Sequence, residues 1–190
     1  MLFRDLAFSV GAGEALQLEG PNGSGKTSLL RAIAGFLEPR AGIIRIRTNN
    51  GQSHSSGEER GSFIGWLGHQ DGAKSQLTPR EALSFQSRYY GDAAPVDEAL
   101  GRVGLSRVSD LPVQYLSAGQ KKRLALARLS LSARPLWLLD EPLASLDAAG
   151  KTFVAELVRQ HCERGGLAII ATHEAIGLQG PRLSLGNRDT

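Results

Sequence analysis

Residues 20–27 read GPNGSGKT, and the types and spacing of these residues suit one task, the wrapping of a polyphosphate. Gly20, Gly23 and Gly25 let the backbone curl around the anion, Pro21, Asn22 and Ser24 complete the loop, and free amides at the start of a following helix point toward it. Lys26 reaches the terminal phosphates, and Thr27 offers a hydroxyl to Mg²⁺. A glycine-rich turn that merely ends a strand is the bland alternative. It fits less well, because the whole G-x-x-x-x-G-K-T pattern lies between an apolar run and a helical stretch. The loop therefore implies nucleotide binding, with Mg²⁺ beside the phosphates.

Holding a phosphate is not the same as cleaving it. The stretch LWLLDEP places Asp140 and Glu141 at the end of an apolar run. Asp140 is placed to hold Mg²⁺ with Thr27, and Glu141 to polarise the attacking water as general base. An exposed acidic turn, which Pro142 would also suit, is the competing account. Beside a phosphate loop it loses ground, since α/β sheets hold ligands at the carboxyl ends of their strands. A third stretch, LSAGQKKRLALARLSL, begins with Ser117 as helix cap and Gly119 as an open backbone position, a second helix start that could hold an anion. By itself this stretch reads as a capped helix with a solvated basic face at Lys121, Lys122, Arg123 and Arg128.

These residues need elements to position them. Ala15 to Leu18 reads as a strand and Thr27 to Leu37 as a helix, with Leu29, Leu30, Ile33, Ala34 and Leu37 at helical spacing before Pro39. Ile43 to Ile46 alternates like a half-exposed strand, Thr48 to Ser62 is a polar loop or hairpin excursion, and Phe63 to Leu67 returns to strand. Thr78-Pro79-Arg80-Glu81 is a capping box that starts a helix running to Tyr90. Helices follow at Asp97–Val103 and Ala118–Leu131. Then PLWLLD and LAIIAT read as buried strands separated by a helix from Ala148 to Arg164. The pattern predicts an α/β domain with a mainly parallel sheet and a helical insertion from about residue 78 to 132.

Composition excludes several classes of function. The chain has 190 residues, 41 % hydrophobic and 22 % charged, with a net charge of +3. That balance permits an acidic ligand or anionic surface but is too weak to argue for nucleic acid. The single Cys162 rules out an internal disulfide and suits a reducing compartment. No run approaches the roughly 18 apolar residues of a membrane span, so work at a membrane requires a partner. His54, His69 and His161 have no supporting motif, while Trp66, Trp137, Phe85 and the tyrosines suit core or subunit contacts.

LSAGQ resembles the signature of the ATP-binding cassette (ABC) ATPases. Other motifs of that family follow in its order: Gln70 in GHQD is similar to the Q-loop glutamine, Ser145 to Asp147 to the D-loop, and His173 in ATHE to the switch histidine. The resemblance covers nearly the whole chain. It implies a P-loop NTPase with a RecA-like sheet, an N-terminal β excursion and a helical subdomain, all in one domain spanning 1–190. It also implies a head-to-tail dimer, each ATP lying between the phosphate loop of one copy and the signature of the other. Ser117, Gly119 and Gln120 would then meet the nucleotide of the partner copy, with Asp147 close by. His173 would bond to the γ-phosphate, and Gln70 would sense metal and water while linking to the helical insertion.

WLGHQDGAKSQLTPREAL, Ala118 where most cassettes carry glycine, and PLWLLDEPLASLD resemble the ATP-binding subunit of the haem exporter used in bacterial cytochrome c maturation. That subgroup works on the cytoplasmic face of the inner membrane, docked on hydrophobic membrane subunits, and serves delivery or release of haem on a periplasmic chaperone. Another transporter's ATPase and a non-transport ABC ATPase are the alternatives. Family members usually begin with a further strand and an adenine-stacking aromatic, and here the chain starts about where that segment ends. Phe3 is an imperfect substitute: either the true start lies upstream of Met1 or adenine is held less firmly here, and if the segment is absent, weaker nucleotide affinity and an unpaired sheet edge are expected.

Overall fold

The computed structural model describes residues 3–68, 72, 74–90 and 95–186. Strands β1 (Ala15–Glu19), β4 (Ile64–Leu67), β5 (Leu136–Asp140), β6 (Leu167–Ala171) and β7 (Arg182–Ser184) form a five-stranded sheet in the order β4-β5-β6-β1-β7. All its pairings are parallel, with Ala15 opposite Ala168 and Leu136 opposite Leu167. A separate two-stranded pair, β2 (Ile46–Arg47) and β3 (Ser53–His54), is antiparallel.

The continuous apolar runs in β5 and β6 are explained by helices on both faces. Because successive strand residues point to opposite sides, Leu136, Leu138, Ile169 and Ala171 face one way, with Leu16 and Leu18 of β1. They pack on Leu29, Leu30 and Ile33 of helix α1 (Lys26–Ile33). Trp137, Leu139, Ala168 and Ile170 face the other way, onto helices α5 (Ala118–Ser130) and α6 (Ala148–Glu163). Each fully buried leucine contributes about 2 kcal/mol through the apolar surface it removes from water.

Helix α5 also serves a third cluster. Its Leu124 and Ala127 pack on Leu83 of α3 (Pro79–Tyr90) and Leu100 of α4 (Val96–Arg102). The expected insertion from 78 to 132 thus has its own core and shares α5 with the sheet. The expected basic face of α5 is not fully solvated: Lys122 is buried, and Arg128 Nε donates to Gln86 Oε1 at 2.9 Å.

Helix α1 ends earlier than its hydrophobic spacing suggests. Gly35 takes φ 83°, Phe36 N–H donates to Arg31 O at 2.9 Å, and Gly35 N–H to Ala32 O at 3.2 Å, the double closure that a left-handed glycine permits. Within the expected loop from 48 to 62, a short helix α2 (Gly57–Gly61) is capped by Ser56 and Glu59 acting on each other's backbone. Strand β7, which the sequence reading did not anticipate, lies on the free side of β1, with Leu185 N–H donating to Glu19 O at 2.8 Å.

Candidate functional site

The chain leaves β1 at Glu19 and enters the glycine loop at Gly20, whose φ is 146°. A side chain at Gly20 would strike the Leu185 carbonyl that follows β7 and the Ser24 hydroxyl, so the neighbouring strand fixes the loop's path. Gly23 and Gly25 take φ 81° and 100°, in the left-handed region that favours glycine. Gly25 caps α1 without a side-chain bond, which leaves the first-turn amides directed out of the helix end. Lys26 is only 7 % exposed, and its ammonium donates to the carbonyls of Gly20 at 2.6 Å and Pro21 at 3.1 Å. Its charge is thereby held within the loop. Phe3 packs against the α1 side of the core, its ring over Gly25, where an added Cβ would come within 2.5 Å of Cζ.

Parallel pairing brings the ends of β1, β5 and β6 to the same edge of the sheet. Thr27 Oγ1 donates to Asp140 Oδ1 at 3.1 Å, joining the start of α1 to the last residue of β5 across 113 positions of sequence. Asp140 is 4 % exposed and still paired opposite Ala171. Glu141 then departs from strand geometry, with φ 49° while its N–H donates to Ala171 O at 2.8 Å. The turn aims its carboxylate at the loop after β6, where Oε2 accepts a hydrogen bond from His173 Nδ1 at 2.9 Å. That bond fixes the tautomer: with Nδ1 protonated, neutral His173 presents Nε2 as an acceptor.

The signature stretch lies elsewhere. Ser117 Oγ accepts from Gln120 N–H at 3.2 Å, while Gln120 Oε1 accepts from Ser117 N–H at 2.9 Å, a reciprocal cap at the start of α5. The hydroxyl proton of Ser117 stays available, and both Ser117 and Ala118 are exposed. Asp147 Oδ1 caps α6 by accepting from Gly150 N–H at 2.8 Å. Helices α1 and α5 stand on opposite faces of the sheet, so the structure gathers Thr27, Lys26, Asp140, Glu141 and His173 at one place and presents Ser117, Gly119 and Gln120 at another. Gln70 lies outside the described residues.

The Thr27–Asp140 pair is a donor set of hard oxygens, one hydroxyl and one carboxylate. Among the described residues no group of three or more His, Cys, Asp or Glu forms a metal cage. Such a sparse set fits Mg²⁺, which keeps several waters and takes its remaining ligands from phosphate.

One feature that the sequence reading left undefined is a cavity of about 420 Å³ between β4 and helices α3 and α5. Trp66, Gly68, Gly72, Phe85, Tyr89 and Arg128 are among its lining. Phe85 is 70 % and Tyr89 72 % exposed, whereas Trp137 is buried in the core.

Among solved structures, a putative ABC transporter ATP-binding protein from Pyrococcus furiosus shares this fold at TM-score 0.78, with 22 % identity over 95 % of this chain and 88 % of that one. The ATP-binding subunit of an ABC transporter matches at TM-score 0.75 and 23 % identity, over 90 % of this chain and 73 % of that one. Relatives by sequence include the cytochrome c biogenesis ATP-binding export protein CcmA of Rhizobium meliloti (strain 1021), 43 % identical over 96 % of this chain and 88 % of that protein. The protein of the same name from Yersinia pseudotuberculosis is 46 % identical over 93 % of this chain and 81 % of its own length. The ABC transporter family model matches residues 3–144, and with relatives this similar along nearly the whole chain the conclusion is plain: this protein belongs to the ABC transporter family, as one of its nucleotide-binding ATPases.

Proposed function

We propose that this chain is the ATP-hydrolysing subunit of a membrane export complex for cytochrome c biogenesis. More specifically, we assign it to the haem exporter, powering delivery or release of haem on a periplasmic chaperone. The observation that carries the hydrolytic part is the Glu141–His173 hydrogen bond beside the Thr27–Asp140 pair, at the carboxyl ends of neighbouring strands. The specific assignment rests on the relatives' printed role in cytochrome c biogenesis.

In this reading residues 1–190 form one ABC ATPase domain, with residues 78–132 as its helical subdomain. The loop from Gly20 to Thr27 receives the polyphosphate, and Lys26 transfers its hydrogen bonds from the Gly20 and Pro21 carbonyls to the terminal phosphates. Thr27 and Asp140 hold Mg²⁺, which neutralises developing phosphate charge when bound. Glu141 takes a proton from the attacking water as the bond between the β,γ-bridging oxygen and the γ-phosphorus breaks, and ADP carries off that oxygen. His173 holds the carboxylate in place through Nδ1, and Nε2, when protonated, donates to the γ-phosphate. Ser117, Gly119, Gln120 and Asp147 complete the nucleotide site of a second copy in a head-to-tail dimer. Gln70 would sense metal and water while linking the site to the helical subdomain.

No helix among the described residues is long and apolar enough to cross a membrane, so attachment goes through hydrophobic membrane subunits. The cavity flanked by Phe85 and Tyr89 offers them an apolar seat on the cytoplasmic face of the bacterial inner membrane. The test is co-expression with the membrane subunits of a cytochrome c biogenesis export complex. The chain should co-purify with them, and ATP should release holo haem chaperone from the complex. Retention of the chaperone through ATP turnover would overturn the assignment to haem export.

A further inference from the structure

The turn that carries Glu141 is fastened to the start of α5 inside the same molecule. Ala144 N–H donates to Glu141 O at 3.3 Å and Leu146 N–H to Leu143 O at 3.3 Å, so residues 141–147 form one tight unit. Two of its residues, Glu141 at φ 49° and Ser145 at φ 65°, occupy the left-handed region without being glycine. Such conformations persist only where the surroundings hold them. Part of that support comes from α5. A Cβ built on Gly119 would lie 2.9 Å from the Ser145 carbonyl oxygen. One turn further along the same helix face, Arg123 Nη2 stands 3.8 Å from Asp147 Oδ2. The other carboxylate oxygen of Asp147 is engaged by Gly150 N–H at 2.8 Å, so the ion pair meets an aspartate already fixed at the α6 cap. Arg123 is itself confined: its Nε is buried without a hydrogen-bond partner, and Nη1 lies beside Gly104, where an added Cβ would come within 3.5 Å.

From this geometry we propose that Arg123 is a positioning residue for hydrolysis, clamping the Glu141 turn to the signature helix through Asp147. Gly119 is glycine partly because its own chain's Ser145 carbonyl needs the space. The inference deepens the proposed hydrolytic function and rests on Glu141 acting as base. A pair at 3.8 Å with side chains 32 % and 64 % exposed adds little to global stability, so its loss acts locally, on the placement of Glu141. The sequence hides this role, because Arg123 lies within what looks like a run of surface cations.

The experiment compares Arg123→Met, Asp147→Asn, the double variant and Arg123→Lys in the full-length protein assembled with its membrane partners. Asparagine retains the helix cap while removing the charge. Each single change should lower kcat about tenfold, the scale of a slightly misplaced catalytic group, with melting temperature unchanged, and Arg123→Met should leave nucleotide affinity as in wild type. The double variant should be no slower than either single one, and Arg123→Lys should recover most of the loss. Additive losses, unchanged kcat, or loss in Asp147→Asn alone would overturn the clamp. Glu141→Gln serves as the control: if it hydrolyses ATP normally, the hydrolytic reading itself fails. If it is inactive while Arg123→Met and Asp147→Asn behave as wild type, only the clamp fails.

Discussion

Glu141 occupies a backbone region that costs a non-glycine residue about 1 kcal/mol, and what it gains is direction. The turn lifts its carboxylate off the strand line and onto His173 Nδ1, 32 residues away in sequence. Glu141→Gln keeps the shape and removes the base, so turnover should fall at least about 10²-fold while ATP binding, measured by equilibrium titration, is retained. His173→Ala should lower kcat more than it changes KM, since it releases Glu141 without altering the phosphate loop.

Another histidine has a purely structural part. His161 stacks on Trp137 with ring centroids 3.8 Å apart, and its Nε2 lies 3.1 Å from Pro135 O and 3.3 Å from Leu167 O. Burial holds this imidazole below its ordinary pKa, the two carbonyls oppose that shift, and Arg164 reinforces it. The unfolded chain therefore takes up the proton first as pH falls. Stability should be full above about pH 6.5 and decline as pH drops through that value toward the folded pKa. Urea midpoints for His161→Gln should show a flatter decline between about pH 7 and pH 5 than wild type.

At this scale the phosphate loop, Asp140, Glu141 and the Ser117 cap were legible because their meaning lies in short spacings. The roles expected of Gln70, His173 and Asp147 rest on family resemblance. The Arg123–Asp147 contact escaped notice because it joins distant segments.

Elements show the same division more sharply. Arg60 is 2 % exposed, with its guanidinium donating to Ile33 O and Ala32 O at 3.1 Å each, to Ile44 O at 3.3 Å, and to Ser55 O. Two of these acceptors are the last carbonyls of α1, where a cation also meets the favourable end of the helix dipole. Arg60 thus ties the far end of the phosphate-loop helix to α2 and to the segment leading into β2. Arg60→Met should destabilise the protein by about 3 kcal/mol in chemical denaturation, because buried carbonyls lose a charged donor, and lysine should restore only part of it.

Gly35 and Gly57 allow the same junction to close. A Cβ on Gly35 would meet Gly57 Cα at 2.5 Å, so Gly35→Ala combines a left-handed strain with a backbone clash and should cost more than about 1 kcal/mol. None of this shows in a local window, since the α1 partners of Arg60 lie 27 and 28 residues away. Strands β5 and β6 were legible from their unbroken apolar runs. Strand β7 was not, because three residues are too few for a period to emerge.

For the whole molecule, the sheet separates the phosphate loop from the signature stretch, which the proposed function joins only across two copies. It sets α1 with its phosphate loop on one face and α5 with its exposed Ser117 end on the other. The α/β class and the helical insertion could be read from alternation of elements, whereas the aromatic-flanked cavity emerges only when α3 folds beside β4. The most direct measurement mixes two variants within the membrane complex, Lys26→Ala to disable the phosphate loop and Ser117→Arg to block the signature. Each alone should be nearly inactive. Random pairing makes half the dimers mixed, with one intact site in each, so the mixture should recover up to about one quarter of wild-type hydrolysis. A mixture as inactive as its components, or single variants that hydrolyse ATP normally, would contradict a nucleotide shared between two copies.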